Sequence, residues 1–252
     1  MRLLKFANLN RVLLSNPVGG EPFKEGDTMP CGRITQTMEK IAQGGGEDFY
    51  QGNLAREIVA DLQEVGSPIT LEDMLNYRAK WREPVVSNFT GGSKLFSVPP
   101  PGSGSSVALM LNILQGYNFT AKDSQNPLFY HRFIEAMKFA YAERMVMGDE
   151  DFVNGMRELV VNMTSQETAN IFRAKIDDSK THQTAFYLTK ASSLGDHGTA
   201  HTSIVDSYGD AVSLTSTVNV YMGSSVVGLR TGIVFNDEMD DFSKPGLFYF
   251  EM

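Results

Sequence analysis

A chain of 252 residues, 42% of them hydrophobic and 21% charged, has enough apolar material for one or two globular domains. Its 22 basic and 30 acidic residues leave a formal net charge of −8 with no basic run, which argues against a nucleic-acid partner. The single cysteine, Cys31, excludes an internal disulfide framework and a cysteine-type zinc site, and reads as a small core residue or a free thiol.

The opening, MRLLKFANLNRVLLSN, is interrupted by Asn8, Asn10 and Arg11 and has no small-residue cleavage site, so it is a poor signal peptide. No stretch reaches the roughly 20 apolar residues of a spanning helix. From Arg33 to Gln43, Ile34, Met38 and Ile41 share a helical face that Gly44-Gly45-Gly46 should end. Leu54, Ile58, Leu62 and Val65 predict a second helix, stopped by Gly66 and Pro68. Thr70 with Asp73 marks the start of a short third helix through Asn76. Two β-rich runs around Gly91-Gly92 predict a hairpin, which the proline run 99–101 breaks. Helix is expected again over Val107–Leu114, Phe129–Met147 and Ala169–Lys175, and the polar segment 176–198 reads as an exposed loop. Beyond 198, β-branched and small polar residues flank a turn at Ser207-Tyr208-Gly209-Asp210, a hairpin signal. Helices followed by a hydroxyl-rich strand pair predict a layered α/β protein. Asn88-Phe-Thr90, Asn118-Phe-Thr120 and Asn162-Met-Thr164 are glycosylation sequons, a hint of a secretory route.

Several motifs carry little. Gly102-x-Gly104 lacks the third glycine of a dinucleotide loop, with Val107 in its place. There is no G-x-S-x-G, Walker A or H-E-x-x-H sequence, and no local motif supports a Ser-His-Asp triad. His131, His182, His197 and His201 are too scattered to suggest a metal.

The specific signal is the run from Gly198-Thr-Ala-His-Thr-Ser-Ile-Val to Thr217-Val-Asn219, followed by Gly232-Ile-Val-Phe-Asn-Asp-Glu-Met-Asp-Asp-Phe-Ser243. It resembles the start of the small subunit of γ-glutamyltransferases (glutathione hydrolases). Upstream, Glu25-Gly-Asp-Thr28, Asp48-Phe-Tyr-Gln-Gly52, the proline-serine loop at 99–103 and Glu135–Arg144 resemble the later large subunit, so roughly residues 18–246 are covered. The resemblance implies one structural unit, with 18–198 as large-subunit region and 199–246 as small-subunit region. It implies an αββα sandwich of the N-terminal nucleophile hydrolase type, truncated at both ends. It also implies self-cleavage at Gly198–Thr199, Thr199 as nucleophile and Thr217 as its hydrogen-bonding partner. Asn219, Glu238 and Asp241 would hold the γ-glutamyl head, the two carboxylates facing its α-ammonium group. The substrates would be glutathione and other γ-glutamyl compounds, with water, amino acids or dipeptides as acceptors. No cofactor or metal is implied, and the location would be the extracellular face of the plasma membrane.

The chemistry agrees with these residue types. A threonine hydroxyl is a weak nucleophile without an adjacent base, and a terminal threonine supplies its own α-amine, with a pKa near ~8. Glycine at 198 allows the backbone angles that an attack by the Thr199 hydroxyl on the preceding carbonyl would need. A three-residue loop Ser207-Tyr208-Gly209 pairs Asp206 with Asp210 and sets Thr199 opposite Thr217, whereas a two-residue loop would shift the register by one. Thr199, His201, Ser203, Ser213, Thr215 and Thr217 then share one face, and Ile204, Val212, Leu214 and Val218 the other. Taken alone, that pattern also suits any two-sided sheet, and Glu238 with Asp241 also suits a solvated acidic turn or a weak calcium site.

Family members also carry a membrane anchor and a carboxylate-binding arginine upstream. Downstream they carry a Ser-Ser pair and an oxyanion-hole Gly-Gly pair. The sequence departs from the family pattern at Gly246 and holds none of these, so the expectation is an inactive, unstable chain. A catalytically inactive fragment of the family, or another N-terminal nucleophile amidase such as an acylase, are the alternative readings.

Overall fold

The computed structural model describes residues 23–188 and 199–242. They fall into two compact units, the described parts of residues 1–79 with 196–252 and of residues 80–195.

In the second unit β1 (Val85–Asn88) and β2 (Lys94–Ser97) form the expected antiparallel hairpin, with register Val85↔Ser97 to Asn88↔Lys94. Helix α4 (Gly104–Gln115) buries Ala108, Leu109, Asn112, Ile113 and Leu114. Helix α5 (Pro127–Arg144) starts where the Asn126 side chain accepts a hydrogen bond from the Leu128 amide and proline occupies the first turn. Helix α6 (Met156–Thr164) adds to the expected set, and α7 (Gln166–Lys175) is capped by the Ser165 side chain accepting from Thr168 N. A hydrophobic core joins Leu109, Ile113, Phe139, Met163, Phe172 and Tyr187. The Phe139 ring lies 5.0 Å from the rings of both Phe172 and Tyr187.

The exposed loop expected over 176–198 is corrected in its described part. Residues Thr184–Tyr187 form a short helix, α8, and Tyr187 is buried. The reason is a polar partner inside the core. Glu135, 1% exposed, accepts hydrogen bonds from Tyr187 Oη (2.5 Å), Thr181 Oγ1 (2.8 Å) and Lys138 Nζ (2.7 Å). Burial alone would raise the pKa of Glu135. Donation from Lys138, Tyr187 and Thr181 outweighs burial and holds it below the ordinary range.

In the first unit α1 (Gly32–Tyr50) contains the expected break as a kink, because Gly45 leaves the helical region (φ 67°, ψ −170°) and the chain resumes helix after it. Cys31, just before α1, is a free, exposed thiol. Helix α2 (Asn53–Gln63) buries Leu54, Ala55, Ile58, Val59 and Asp61. Helix α3 (Leu71–Asn76) has the expected reciprocal cap between Thr70 and Asp73. Strands β3 (Ala200–Val205) and β4 (Ala211–Ser216) form a second antiparallel pair. The α/β class is therefore present, and among the described residues each sheet consists of two strands.

Candidate active site

The β3–β4 ladder runs from Ala200↔Ser216 to Val205↔Ala211, the register that a three-residue loop requires. Asp206 N donates to Asp210 O (3.0 Å) and Gly209 N to Asp206 O (3.2 Å). The Asp206 carboxylate accepts from the amides of Tyr208 (2.8 Å) and Asp210 (2.9 Å). Gly209 has φ 89°, a conformation glycine enters without the Cβ penalty, which is why this loop closes here. Thr199 and Thr217 each lie one residue beyond the Ala200↔Ser216 end of that ladder, so its register, if continued, would set them opposite each other.

The hydroxyl face is wired together by one imidazole. His201 Nδ1 lies 2.7 Å from Thr215 Oγ1, and its Nε2 lies 3.1 Å from both Ser203 Oγ and Ser213 Oγ. The sequence reading put His201 on this face without giving it a role. Its part as the hub of three hydroxyls emerges only when the two strands are paired.

Just past β4 the chain is hydrogen-bonded to the acidic segment around residues 237–241. Thr217 Oγ1 accepts from Asn219 N at 2.7 Å. Asn219 is 9% exposed and has φ 71°, a left-handed conformation that asparagine tolerates better than most residues. Its Nδ2 donates to Asp241 Oδ1 (3.0 Å) and to Asp237 O (3.2 Å). Asp237 Oδ1 accepts from Val220 N (3.3 Å), and Asp237 N donates to Val218 O (3.4 Å). Asp237 was not singled out from sequence, since nothing distinguishes it from its acidic neighbours before this pairing forms. Glu238 and Asp241 lie on a 3₁₀ turn, Glu238–Phe242, and both are exposed.

Thr217, Asn219 and Asp241 are thus joined by consecutive hydrogen bonds. Thr199 lies next to the Ala200↔Ser216 end of the ladder, and Glu238 lies three residues before Asp241 on the same turn. Among the described residues, no His, Cys, Asp and Glu side chains group in a way that could hold a metal ion. Gly198, the other half of the bond expected to be cut, lies outside the described residues. A cavity lined by Glu150, Asp151, Val153 and Arg157 includes none of these site residues.

A gamma-glutamyltranspeptidase family model matches residues 1–249. The chain belongs to the γ-glutamyltranspeptidase family. It is 41% identical to glutathione hydrolase 2 of Arabidopsis thaliana over 244 residues, covering 96% of this chain and 41% of that protein. It is 37% identical to scoloptoxin SSD14 of Scolopendra dehaani over 241 residues, covering 94% of this chain and 41% of that protein. The chain therefore spans about two fifths of the length of these two relatives.

Among solved structures, the γ-glutamyltranspeptidase of Helicobacter pylori is similar with a TM-score of 0.64 and 30% identity, over 73% of this chain and 51% of that one. The cephalosporin acylase of Bacillus halodurans is similar with a TM-score of 0.67 and 27% identity, over 90% of this chain and 41% of that one. Both neighbours are N-terminal nucleophile hydrolases, and their likeness bears out the expected fold class.

Proposed function

We propose that this chain carries the nucleophile and ammonium-binding side of a site for γ-glutamyl hydrolysis or transfer from glutathione and related conjugates. The single observation behind this reading is the hydrogen-bonded sequence Thr217–Asn219–Asp241 at the end of a hairpin whose register, if continued, would set Thr199 opposite Thr217.

Cleavage of Gly198–Thr199 would free the α-amine of Thr199. That amine takes the hydroxyl proton as the oxygen attacks the γ-carbonyl carbon, and Thr217 orients the oxygen by a hydrogen bond. The C–N bond then breaks, and the amine returns the proton to the departing cysteinylglycine nitrogen. An ester to Thr199 remains, which water or an acceptor amino acid or dipeptide opens by the reverse proton path. Asn219, Glu238 and Asp241 hold the glutamyl head, with the two carboxylates paired to its ammonium group.

Intact mass and a chromogenic γ-glutamyl amide test this together. The expected result is two pieces split before Thr199 and turnover abolished by Thr199→Ala. An uncut, inert wild-type chain would instead establish the inactive-fragment reading. The likeness to the cephalosporin acylase supports a second reading, hydrolysis of an acyl amide that lacks an ammonium group. Asp241→Asn separates the two: it should raise KM for the γ-glutamyl amide about tenfold, roughly the 1.4 kcal/mol of one lost charge-assisted bond, and leave an acylase substrate unaffected.

The same proposal places the protein on the secretory route, at the outer face of the plasma membrane. Asn88, Asn118 and Asn162 are all exposed, and a glycosidase-sensitive mass shift would identify those that carry glycans. Among the described residues, no helix is long and apolar enough to cross a membrane.

A further inference from the structure

Asp61 has a solvent-inaccessible side chain on α2 and no role in the chemistry above. Its Oδ1 accepts from Arg230 N and Arg230 Nη1, both at 3.0 Å. Its Oδ2 accepts from Thr231 N (3.0 Å) and Thr231 Oγ1 (2.8 Å). The second guanidinium nitrogen of Arg230 reaches Glu64 at 2.5 Å, one residue beyond α2. From α1, Thr37 Oγ1 donates to Thr231 O at 2.7 Å. The turn is shaped around this carboxylate: a Cβ at Gly228 would stand 2.3 Å from both Asp61 Oδ2 and Thr231 Oγ1.

The clamped turn leads straight into the acidic segment. Gly232 N donates to Gly228 O (2.8 Å) and Gly228 N to Ile233 O (2.9 Å). Val227 pairs with Val234, and Phe235 N donates to Val226 O (3.0 Å). Asn236 Oδ1 then accepts from Glu238 N (3.1 Å), and Asp241 meets Asn219. A short ribbon held by these backbone bonds therefore separates the Asp61 clamp from both candidate ammonium ligands. A buried carboxylate needs its donors, so the ribbon cannot slide without orphaning a charge.

We infer that Asp61 is a positioning residue: from α2 it sets where the 236–241 loop presents Glu238 and Asp241 to the substrate ammonium group. This rests on the function proposed above, and it assigns the precision of that subsite to a side chain that never touches substrate.

The test uses the full chain with Asp61→Asn, Thr231→Val and the conservative Thr231→Ser. Hydrogen exchange followed by mass spectrometry is read over 236–241 and over the hairpin 200–216. KM and kcat are measured on the chromogenic γ-glutamyl amide. Asp61→Asn and Thr231→Val should speed exchange in 236–241 about tenfold, with less than twofold change in 200–216, and Thr231→Ser should stay near wild type. KM should rise about tenfold with kcat within threefold. Exchange that rises equally in both segments would mean general destabilisation and overturn the inference, as would an unchanged 236–241 segment or an unchanged KM. If the wild-type chain shows no turnover, the proposed function fails while the exchange contrast still decides whether Asp61 holds the loop. Thr231→Val keeps the carboxylate and three of its donors, so it provides a folded variant should Asp61→Asn unfold.

Discussion

The helical unit and the β3–β4 hairpin hold their shapes by opposite means. In the unit from Lys80 to Gly195, α4, α5 and α7 close around Leu109, Phe139 and Phe172, and burial fixes the side chains. In the hairpin, all six residues of each strand are exposed, so the backbone ladder, the Gly209 loop and the hydroxyl bonds to His201 set the geometry. The proposed nucleophile and its partner flank this second, unburied kind of structure. The largest expected effect belongs to the first kind. Phe139, 1% exposed, meets three aromatic rings, and Phe139→Ala should cost about 3–5 kcal/mol in denaturant unfolding. A loss below about 1 kcal/mol would show that the helical core is not tightly packed.

The next effect tests whether polar burial in that unit behaves as the contacts suggest. Glu135→Gln leaves Tyr187, Thr181 and Lys138 without a charged acceptor, and should cost about 1–3 kcal/mol near neutral pH. The folded pKa of Glu135 is depressed, so its contribution is complete above the unfolded value of about 4.3 and fades as pH falls through the lower folded value. The stability gap between wild type and Glu135→Gln should therefore narrow below about pH 4. A gap that stays constant from pH 7 to pH 3 would deny Glu135 its depressed pKa.

The two regions were also unequally legible from sequence. The hairpin was readable to the residue, because a glycine at 209 and the side-chain period of two leave one register, and the ladder follows it. The caps at Thr70 and the hairpin at Gly91-Gly92 were readable for similar local reasons. Tyr187 was not, since its burial depends on a carboxylate 52 positions earlier that local composition does not reveal. The same holds for Asp61, whose partners at 230 and 231 lie beyond any local pattern. At the candidate site the residue types came from the Thr-Ala-His and Asn-Asp-Glu-Met-Asp-Asp blocks. The tie between Asn219 and Asp241 needed the fold.

A third, smaller effect probes the hairpin where its backbone is most constrained. Gly209→Ala places a Cβ at φ 89° and should weaken the loop by about 1–2 kcal/mol. Amide exchange over 200–216 should then accelerate roughly 5- to 30-fold. Acceleration below twofold would mean that the loop does not set the register.

The smallest effect is the sharpest test of the contrast. Leu214 is 60% exposed, beside Val212 at 60% and Ile204 at 57% on the face opposite His201. An apolar side chain that remains in water contributes little burial free energy, so Leu214→Ser should change stability by less than about 0.5 kcal/mol. The same chemical change at a buried position would remove several kcal/mol, so the difference isolates burial from residue type. Solubility should rise with the substitution, because three neighbouring apolar groups on one unpaired face form an adhesive patch. A stability loss above about 1 kcal/mol would mean that this face is covered in solution. The hairpin would then be held by packing like the helical unit, and the geometry around Thr199 and Thr217 would owe its order to a core rather than to a ladder and a loop.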